Sequence, residues 1–244
     1  MKTLTTILFI FIFPICYGQT ANKLKGIPKT IEESFIYLEQ MFDDTTGYNF
    51  ITLPENISTV KLHYGLGMWI RNNWGLWGNS QLQQCLHDSG FIHPDDMSAI
   101  ILKAYHRHLN GKKLNLKEEA KKYKSYWNSV GGDGFSAGDR LLDLDSNTTA
   151  EDLLKYYPVG DTIIISVRAI KKRFFKTKSE NINGIAIIKE HISTKIKVEI
   201  IKLDQKKDYI LDNKQGDIIE EFPFWCSLIP PKGWSWTKLN NKMH

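Results

Sequence analysis

Apolar residues recur at helical spacing through the first half of the chain. Behind Thr30 and Glu33, which form a capping box, four apolar side chains fall on one face at spacings of three and four: Ile31, Phe35, Leu38 and Phe42. Similar stripes follow the start signals at Ser80, Pro94 and Asn115. We therefore expect an α-helical domain over 27–130, with about five helices joined by short loops.

The periodicity changes in the second half. Stretches 162–167, 184–189, 195–203 and 217–222 are rich in isoleucine and partly alternate with polar residues, as strands do. Short strands without intervening helices predict a small antiparallel β-barrel of the SH3-like kind or an antiparallel meander over 149–244. The predicted fold class is thus α+β.

A glycine-rich stretch separates the two halves. Glycines 131, 132, 134 and 138 fall within 131–148, too many for regular structure, so this segment is expected to be a linker. A phosphate-binding loop would end in lysine followed by serine or threonine. Asp139 and Arg140 follow here instead, which argues against phosphate binding.

The first residues have the three-part pattern of an export signal. Lys2 precedes an apolar run from Ile7 to Phe13, and Pro14 and the small-residue pattern Cys16-Tyr17-Gly18 follow. The run is shorter than the roughly 20 apolar residues that a membrane span needs. We expect residues 1–18 to be a signal peptide cleaved after Gly18, which predicts a periplasmic or secreted protein without a transmembrane segment after cleavage.

Charge is uneven along the chain. The net charge is +5, and residues 151–244 carry 17 basic and 12 acidic side chains. A cationic stretch with Phe174 and Phe175 inside it contains Lys171, Lys172, Arg173, Lys176 and Lys178. It suits either a solvated hairpin tip or a contact with anionic lipid, glycan or nucleic acid. Because an exported protein meets little nucleic acid, we expect no nucleic-acid partner.

Two cysteines remain after the predicted leader is removed. Cys85 and Cys226 could form one disulfide in an oxidising compartment. Cys85 also lies in an apolar stripe with Leu82 and Leu86, which fits a buried free thiol equally well. Both interpretations stay open on sequence alone.

The densest chemistry lies between residues 65 and 98. Eight residue positions stand out as one candidate site: Trp69, Arg71, Asn72, Trp74, Trp77, His93, Asp95 and Asp96. If the tryptophans are buried, Arg71 must be partly buried too, and a buried guanidinium needs a carboxylate partner. Asp95 or Asp96, at a helix start, can supply it. This interpretation makes the cluster a structural clamp.

The same residues can also face outward. Tryptophan rings stack on sugars and other apolar surfaces, while Arg71, Asn72 and His93 fix polar groups of a ligand. The expected partner is then an envelope protein, a glycan or a peptide.

Catalysis has weaker support. Acid-base chemistry needs titrating groups that converge on one cavity, and the candidates His63, His87, His93 and Asp95 follow no hydrolase motif. The histidines and cysteines also lack metal-ligand spacing, so no metal or cofactor is expected. The enzymatic alternative is an envelope hydrolase acting on glycan or peptide at a cleft between the two halves.

Over roughly residues 28–116, these motifs in their order resemble an uncharacterised domain family common in Bacteroidetes-type bacteria. The resemblance rests on the stretch Leu66–Trp77, the run His93–Ser98 and the triplet Tyr105–Arg107. It implies a bacterial setting and a domain boundary, and it implies no activity. Together, the patterns predict an exported binding or assembly module of the bacterial cell envelope and favour this role over an enzymatic one.

Overall fold

The computed structural model describes residues 26–130, 150–173, 176–204 and 209–243. The predicted signal peptide, 1–18, and the predicted linker, 131–148, lie outside the described residues. The α+β class is confirmed, because helices precede an antiparallel sheet. No helix within the described ranges is both long enough and apolar enough to cross a membrane.

Residues 26–130 form more helices than the five expected. Seven α-helices and one π-helical turn are present: α1 (Ile31–Met41), α2 (Asp44–Thr52), α3 (Glu55–Leu62), the π-helical turn (His63–Gly67), α4 (Met68–Asn73), α5 (Gln81–Asp88), α6 (Pro94–Leu109) and α7 (Leu116–Val130). The expected number was too low because α2, α3 and α4 are short and follow one another closely. Periodicity is read over 11 to 18 residues, about the length of two such helices.

The helix starts follow the side chains that mark them in the sequence. The Thr30 hydroxyl accepts the backbone N–H of Glu33 at 3.1 Å, and the Ser80 hydroxyl accepts that of Gln83 at 3.1 Å. Each bond satisfies a backbone donor that the first helical turn leaves without a partner. These caps hold α1 and α5 at their predicted starting points.

The second half forms an antiparallel sheet whose centre is a meander of three consecutive strands. Its strands are β1 (Thr162–Arg173), β2 (Lys176–Ile192), β3 (Lys195–Leu203), β4 (Ile210–Leu211), β5 (Ile218–Glu221) and β6 (Ser227–Leu228). They lie in the order β4-β1-β2-β3-β5, and β6 also pairs with β1. The sheet has the form of an antiparallel half-barrel, in which no pairing among the described strands joins β4 to β5. Helices α8 (Ala150–Leu154) and α9 (Trp236–Met243) and a 3-10 turn (Pro223–Trp225) complete this half.

The chain packs as two compact units that are not continuous in sequence. The described residues of the first unit are 26–41 and 58–130, and those of the second are 42–57 and 150–243. The predicted domain ranges, 27–130 and 149–244, place 42–57 with the helices. By packing, this segment, which includes α2, goes with the sheet.

Helix α2 is tied to the second unit by specific bonds. The Asn49 side chain donates to the carbonyl of Leu228 at 2.9 Å and accepts the N–H of Leu228 at 2.8 Å. The Asp44 carboxylate accepts the backbone N–H of Trp236 at 2.8 Å. A Cβ at Gly47 would overlap the Trp236 ring. Only glycine therefore permits this close approach of helix and indole.

The core of the second unit follows the alternation of its strands. In β1, Ile163, Ile165, Val167 and Ala169 are all buried, and they share one face of the strand because successive side chains point to opposite faces. They pack with Leu53 of the segment after α2 and with Tyr157. The sheet thus needs residues from both parts of the sequence to cover its apolar face.

A buried ion pair joins α6 to α7 in the first unit. Nζ of Lys103 lies 2.9 Å from Glu119, and the cations of Arg107 and Lys122 lie 3.4 and 3.2 Å from the same carboxylate. Burial alone would raise the pKa of Glu119. The hydrogen bonds and charges of Lys103 and Lys122 outweigh burial and hold that pKa below its ordinary value.

The two cysteines are free thiols, so the possible disulfide between Cys85 and Cys226 is not formed. Cys85 lies half-buried on α5 in the first unit. Cys226 is buried in the core of the second unit, with its sulfur 3.6 Å from the carbonyl of Phe222. Each sulfur is thus packed within its own unit, which is the ordinary state of an unpaired cysteine.

Candidate functional site

Arg71 is the centre of a buried polar group in the first unit. It lies near the end of α4, and only 7% of its surface is exposed. Its Nε lies 2.7 Å from Oδ1 of Asp95, and its Nη1 donates to the Ser98 hydroxyl at 2.9 Å. The predicted ion pair is therefore present, and of the two candidate acids its partner is Asp95. Asp96 is buried in the same turn of α6.

The start of α6 places the carboxylate of Asp95. His93 is the N-cap residue, and its Nδ1 accepts the backbone N–H of Asp95 at 3.2 Å. Pro94 occupies the first helical position, where its fixed φ and missing N–H are tolerated. Because the imidazole caps the helix, the Asp95 side chain is available to Arg71. Ser98, one turn later, donates its hydroxyl to the Asp95 carbonyl at 2.9 Å.

His63 completes the buried group. It begins the π-helical turn and is 2% exposed, and its Nδ1 has no hydrogen-bond partner. Burial lowers the pKa of His63 to about 4; the charge of Arg71 adds to the shift and that of Asp95 opposes it. The imidazole is therefore neutral at pH 7. We call His63, Arg71, Asp95 and Ser98 the inner group.

The π-helical turn brings the backbone close to the guanidinium. A Cβ at Gly67 would lie 3.4 Å from Nη1 of Arg71 and 3.6 Å from the Ser98 hydroxyl. The glycine thus leaves a flat surface beside the cation. Single π-helical turns are rare inside α-helices and occur often at functional sites.

The three tryptophans of the motif do not share one environment. Trp74 is 2% exposed, and its ring meets that of half-buried Trp69 edge to face at 6.1 Å. Trp77 is 62% exposed. Trp69 and Trp74 therefore belong to the packing of the unit, as the clamp interpretation expects. Trp77 faces solvent, as the binding interpretation expects.

Trp77 is exposed but held in orientation. Its indole N–H donates to Oδ1 of Asn72 at 3.2 Å, and its ring meets the His93 imidazole edge to face with centroids 6.0 Å apart. Asn72 is exposed and His93 is half-buried. We call Asn72, Trp77 and His93 the outer group.

His93 links the outer group to the inner one. Its Nδ1 lies 3.6 Å from Oδ2 of Asp95, whose other oxygen holds Arg71. The link runs through the backbone, because this nitrogen accepts the N–H of Asp95, whose carboxylate holds Arg71. Tyr64, 61% exposed, lies beside His63 with ring centroids 5.0 Å apart.

The geometry of the inner group suits a structural role, in which its side chains hold each other in place, better than it suits proton transfer. The Ser98 hydroxyl both accepts from Arg71 and donates to a backbone carbonyl, so its proton is already engaged. His63 is buried and neutral, and His87, another catalytic candidate, is exposed on α5. Within the described ranges, no three histidine, cysteine or acidic side chains are grouped to hold a metal ion. The arrangement therefore favours a rigid support beneath a recognition surface.

Sequence reasoning missed the inner roles of His63 and Ser98. Ser98 lies three residues after Asp95, a spacing that puts both on one helical face. This signal was visible in the sequence. His63 precedes Arg71 by eight residues, about two turns, but the π-helical turn between them changes the register, and no local pattern marks that change.

Comparison with known proteins identifies one domain. A family model described as a domain of unknown function, DUF6794, matches residues 27–109. The match contains the whole inner group and the whole outer group and ends at the last residue of α6. No curated protein and no solved structure matches the chain.

Proposed function

We propose that this chain is a binding module of the bacterial cell envelope and that its ligand is a glycan. Trp77 would supply the flat surface on which a sugar ring stacks. Asn72 and His93 lie beside it and would contact hydroxyl groups at the rim. The export pattern in residues 1–18 supports the envelope setting.

The observation that carries the proposal is the fixed orientation of an exposed ring. An exposed ring that its neighbours already orient presents its face to a partner at a smaller cost in side-chain entropy. Trp77 is held at its N–H by Asn72 and at its edge by His93, which leaves a ring face available for stacking. A ring face offers the C–H groups of a sugar an apolar and weakly negative surface.

The inner group would support this surface. Arg71 and Asp95 fix the start of α6, and the N-cap residue of that helix is His93. A ligand contact that rests on a locked support loses less side-chain entropy on binding. In this proposal the inner group is the clamp, and it supports the outer group, which contacts the ligand.

The test is a binding assay with the full chain on a glycan array and on insoluble cell-wall glycan. Trp77→Ala should reduce retention at least about tenfold, as expected when an aromatic anchor is lost, and Trp77→Phe should retain part of it. Trp225→Ala is the matched control, because Trp225 is also an exposed tryptophan, at 55%, and lies in the second unit.

Three results would count against the proposal. The wild type could fail to bind any glycan, Trp77→Ala could bind as the wild type does, or Trp225→Ala could cause the same loss. Release of soluble fragments from the cell-wall glycan would instead indicate the hydrolase alternative.

A further inference from the structure

The hydrogen bond between Trp77 and Asn72 decides which end of the Asn72 amide is available to a ligand. An indole N–H can only donate, so the amide must present its oxygen, and Oδ1 of Asn72 accepts this bond at 3.2 Å. The NH2 group therefore takes the other position on the amide carbon. Asn72 is exposed, and no group among the described residues accepts from its NH2 group. Two N–H donors thus stand beside the Trp77 ring.

The hydrogen bond at the start of α6 fixes the tautomer of the other polar side chain in the outer group. Nδ1 of His93 accepts the backbone N–H of Asp95 at 3.2 Å. In a neutral imidazole one ring nitrogen accepts and the other carries the proton, so neutral His93 carries its proton on Nε2. The polar hydrogens of the outer group therefore lie on the indole, the amide and the imidazole, and the indole hydrogen is already used within the group.

A site rich in donors favours a ligand group that only accepts. A sugar hydroxyl accepts a hydrogen bond but also brings a proton that needs an acceptor of its own. The carbonyl oxygen of an acetamido substituent accepts without donating, and the methyl group beside it is apolar. Such a substituent therefore matches an NH2 group next to an indole ring better than a hydroxyl does.

We propose that the ligand of the outer group is a 2-acetamido sugar. Its ring would stack on Trp77, and its acetamido carbonyl would accept a hydrogen bond from the NH2 group of Asn72. This inference rests on the proposed glycan binding and narrows it to one chemical class. It makes the Asn72 NH2 group the feature that selects the ligand, and it leaves the hydroxyl contacts of the sugar to His93.

Titration calorimetry of the full chain with three matched tetrasaccharides tests the proposal. Chitotetraose, cellotetraose and fully deacetylated chitotetraose differ only in the substituent at carbon 2, which is acetamido, hydroxyl or amino. The wild type should bind chitotetraose at least about fivefold more tightly than either of the others, because the net contribution of a neutral hydrogen bond corresponds to roughly that factor.

Asn72→Asp separates ligand selection from support of the ring. Its carboxylate can still accept the Trp77 N–H, but it has no N–H to donate, so the preference for chitotetraose over cellotetraose should disappear. Asn79→Asp is the matched control. Asn79 is also exposed, lies two residues after Trp77 and gains the same charge, and this variant should keep the preference. Melting curves should show that both variants stay folded.

The inference is overturned if the wild type binds cellotetraose or the deacetylated tetramer as tightly as chitotetraose. Glycan binding itself would then stand, and only the acetamido preference would be lost. The inference is also overturned if Asn72→Asp keeps the preference, or if Asn79→Asp loses it to the same extent, since the added charge would then explain the change. If none of the tetrasaccharides binds and no sugar on the glycan array is retained, the proposed function fails together with the inference.

Discussion

Nε of Arg71 lies 2.7 Å from Oδ1 of Asp95, and the two side chains differ in their access to water, with 8% of the arginine and 20% of the aspartate exposed. Burial lowers the pKa of Arg71, and the charge of Asp95 opposes that shift. The carboxylate is therefore what makes a buried guanidinium tolerable. Substitutions in this ion pair should therefore change the stability of the first unit by a measurable amount.

Asp95→Ala should lower the free energy of unfolding by about 3 to 5 kcal/mol, because it leaves the Arg71 charge buried without its partner. Arg71→Ala should lower the free energy of unfolding toward the lower end of that range, because the Asp95 carboxylate that it leaves behind keeps some contact with water. Urea denaturation measures both. Lys121→Ala is the control, since it breaks an exposed ion pair with Glu118, and its effect should stay within about 1 kcal/mol. An equally small effect for Asp95→Ala would contradict the inner role of the pair.

The two classes of tryptophan should separate in a stability assay. Trp74→Ala removes a buried indole and should cost about 3 to 5 kcal/mol. Trp77→Ala removes an exposed one and should stay within about 0.5 kcal/mol. Chemical denaturation of both variants provides the measurement. A large destabilisation by Trp77→Ala would mean that loss of binding in that variant reports loss of folding.

His63 should make stability depend on pH. Its pKa is lowered from 6.5 to about 4 in the folded chain, so the unfolded chain binds the proton more tightly. The stability that it contributes is full above about pH 6.5 and is lost as the pH falls toward 4, by up to about 1.4 kcal/mol per pH unit. Glu119, whose pKa is also lowered, adds its own loss only below about pH 4.5.

The window from pH 6.5 to 5 excludes the contribution of Glu119, and burial raises the pKa of Glu221 toward it, so the difference between the wild type and His63→Gln is what isolates the histidine. Denaturation at several pH values in that window should show a shallower slope for His63→Gln than for the wild type. His87→Gln, at an exposed histidine of α5, should leave the slope unchanged. Equal slopes for the wild type and His63→Gln would refute a buried, neutral imidazole at this position.

Gly47→Ala should destabilise the second unit. The added methyl group would overlap the Trp236 ring, and overpacking of this kind costs about 1 to 3 kcal/mol. Gly65→Ala is the matched control, because a Cβ there has no atom within 4 Å. Hydrogen exchange of the amides in α2 and α9 (Trp236–Met243) provides a local measurement. Unchanged protection in Gly47→Ala would contradict the packing of α2 on α9.

The local signals in the sequence were sufficient for the fold class and for the starts of α1, α5, α6 and α7, but not for the short helices between α1 and α5. Thr30 and Ser80 each cap a backbone N–H three residues later. Helix starts of this kind can therefore be predicted without tertiary information. The Arg71 pairing was also predictable, because a buried cation requires an anion and two acids mark the next helix start. General rules of charge and capping thus identified much of the inner group.

Long-range packing was not predictable in the same way. The contact of Asn49 with Leu228 joins residues 179 positions apart, and no local pattern announces it. The three tryptophans look alike in sequence, but α4 ends at Asn73, so helical periodicity no longer fixes the direction of Trp77. The segment 42–57 was assigned to the helical domain because its periodicity indicates a helix. Periodicity does not indicate which unit that helix packs in.

The bond between Asn49 and Leu228 also sets an order of events during biosynthesis. At translation rates of roughly 5 to 20 residues per second, about 10 to 40 seconds separate the appearance of these two residues. During that interval the Asn49 side chain has only its local bond to the Thr45 carbonyl, and its two bonds to Leu228 form only when the last tenth of the polypeptide leaves the ribosome. The second unit is therefore completed only near the end of synthesis, whereas residues 26–41 and 58–130 of the first unit are all made well before that point.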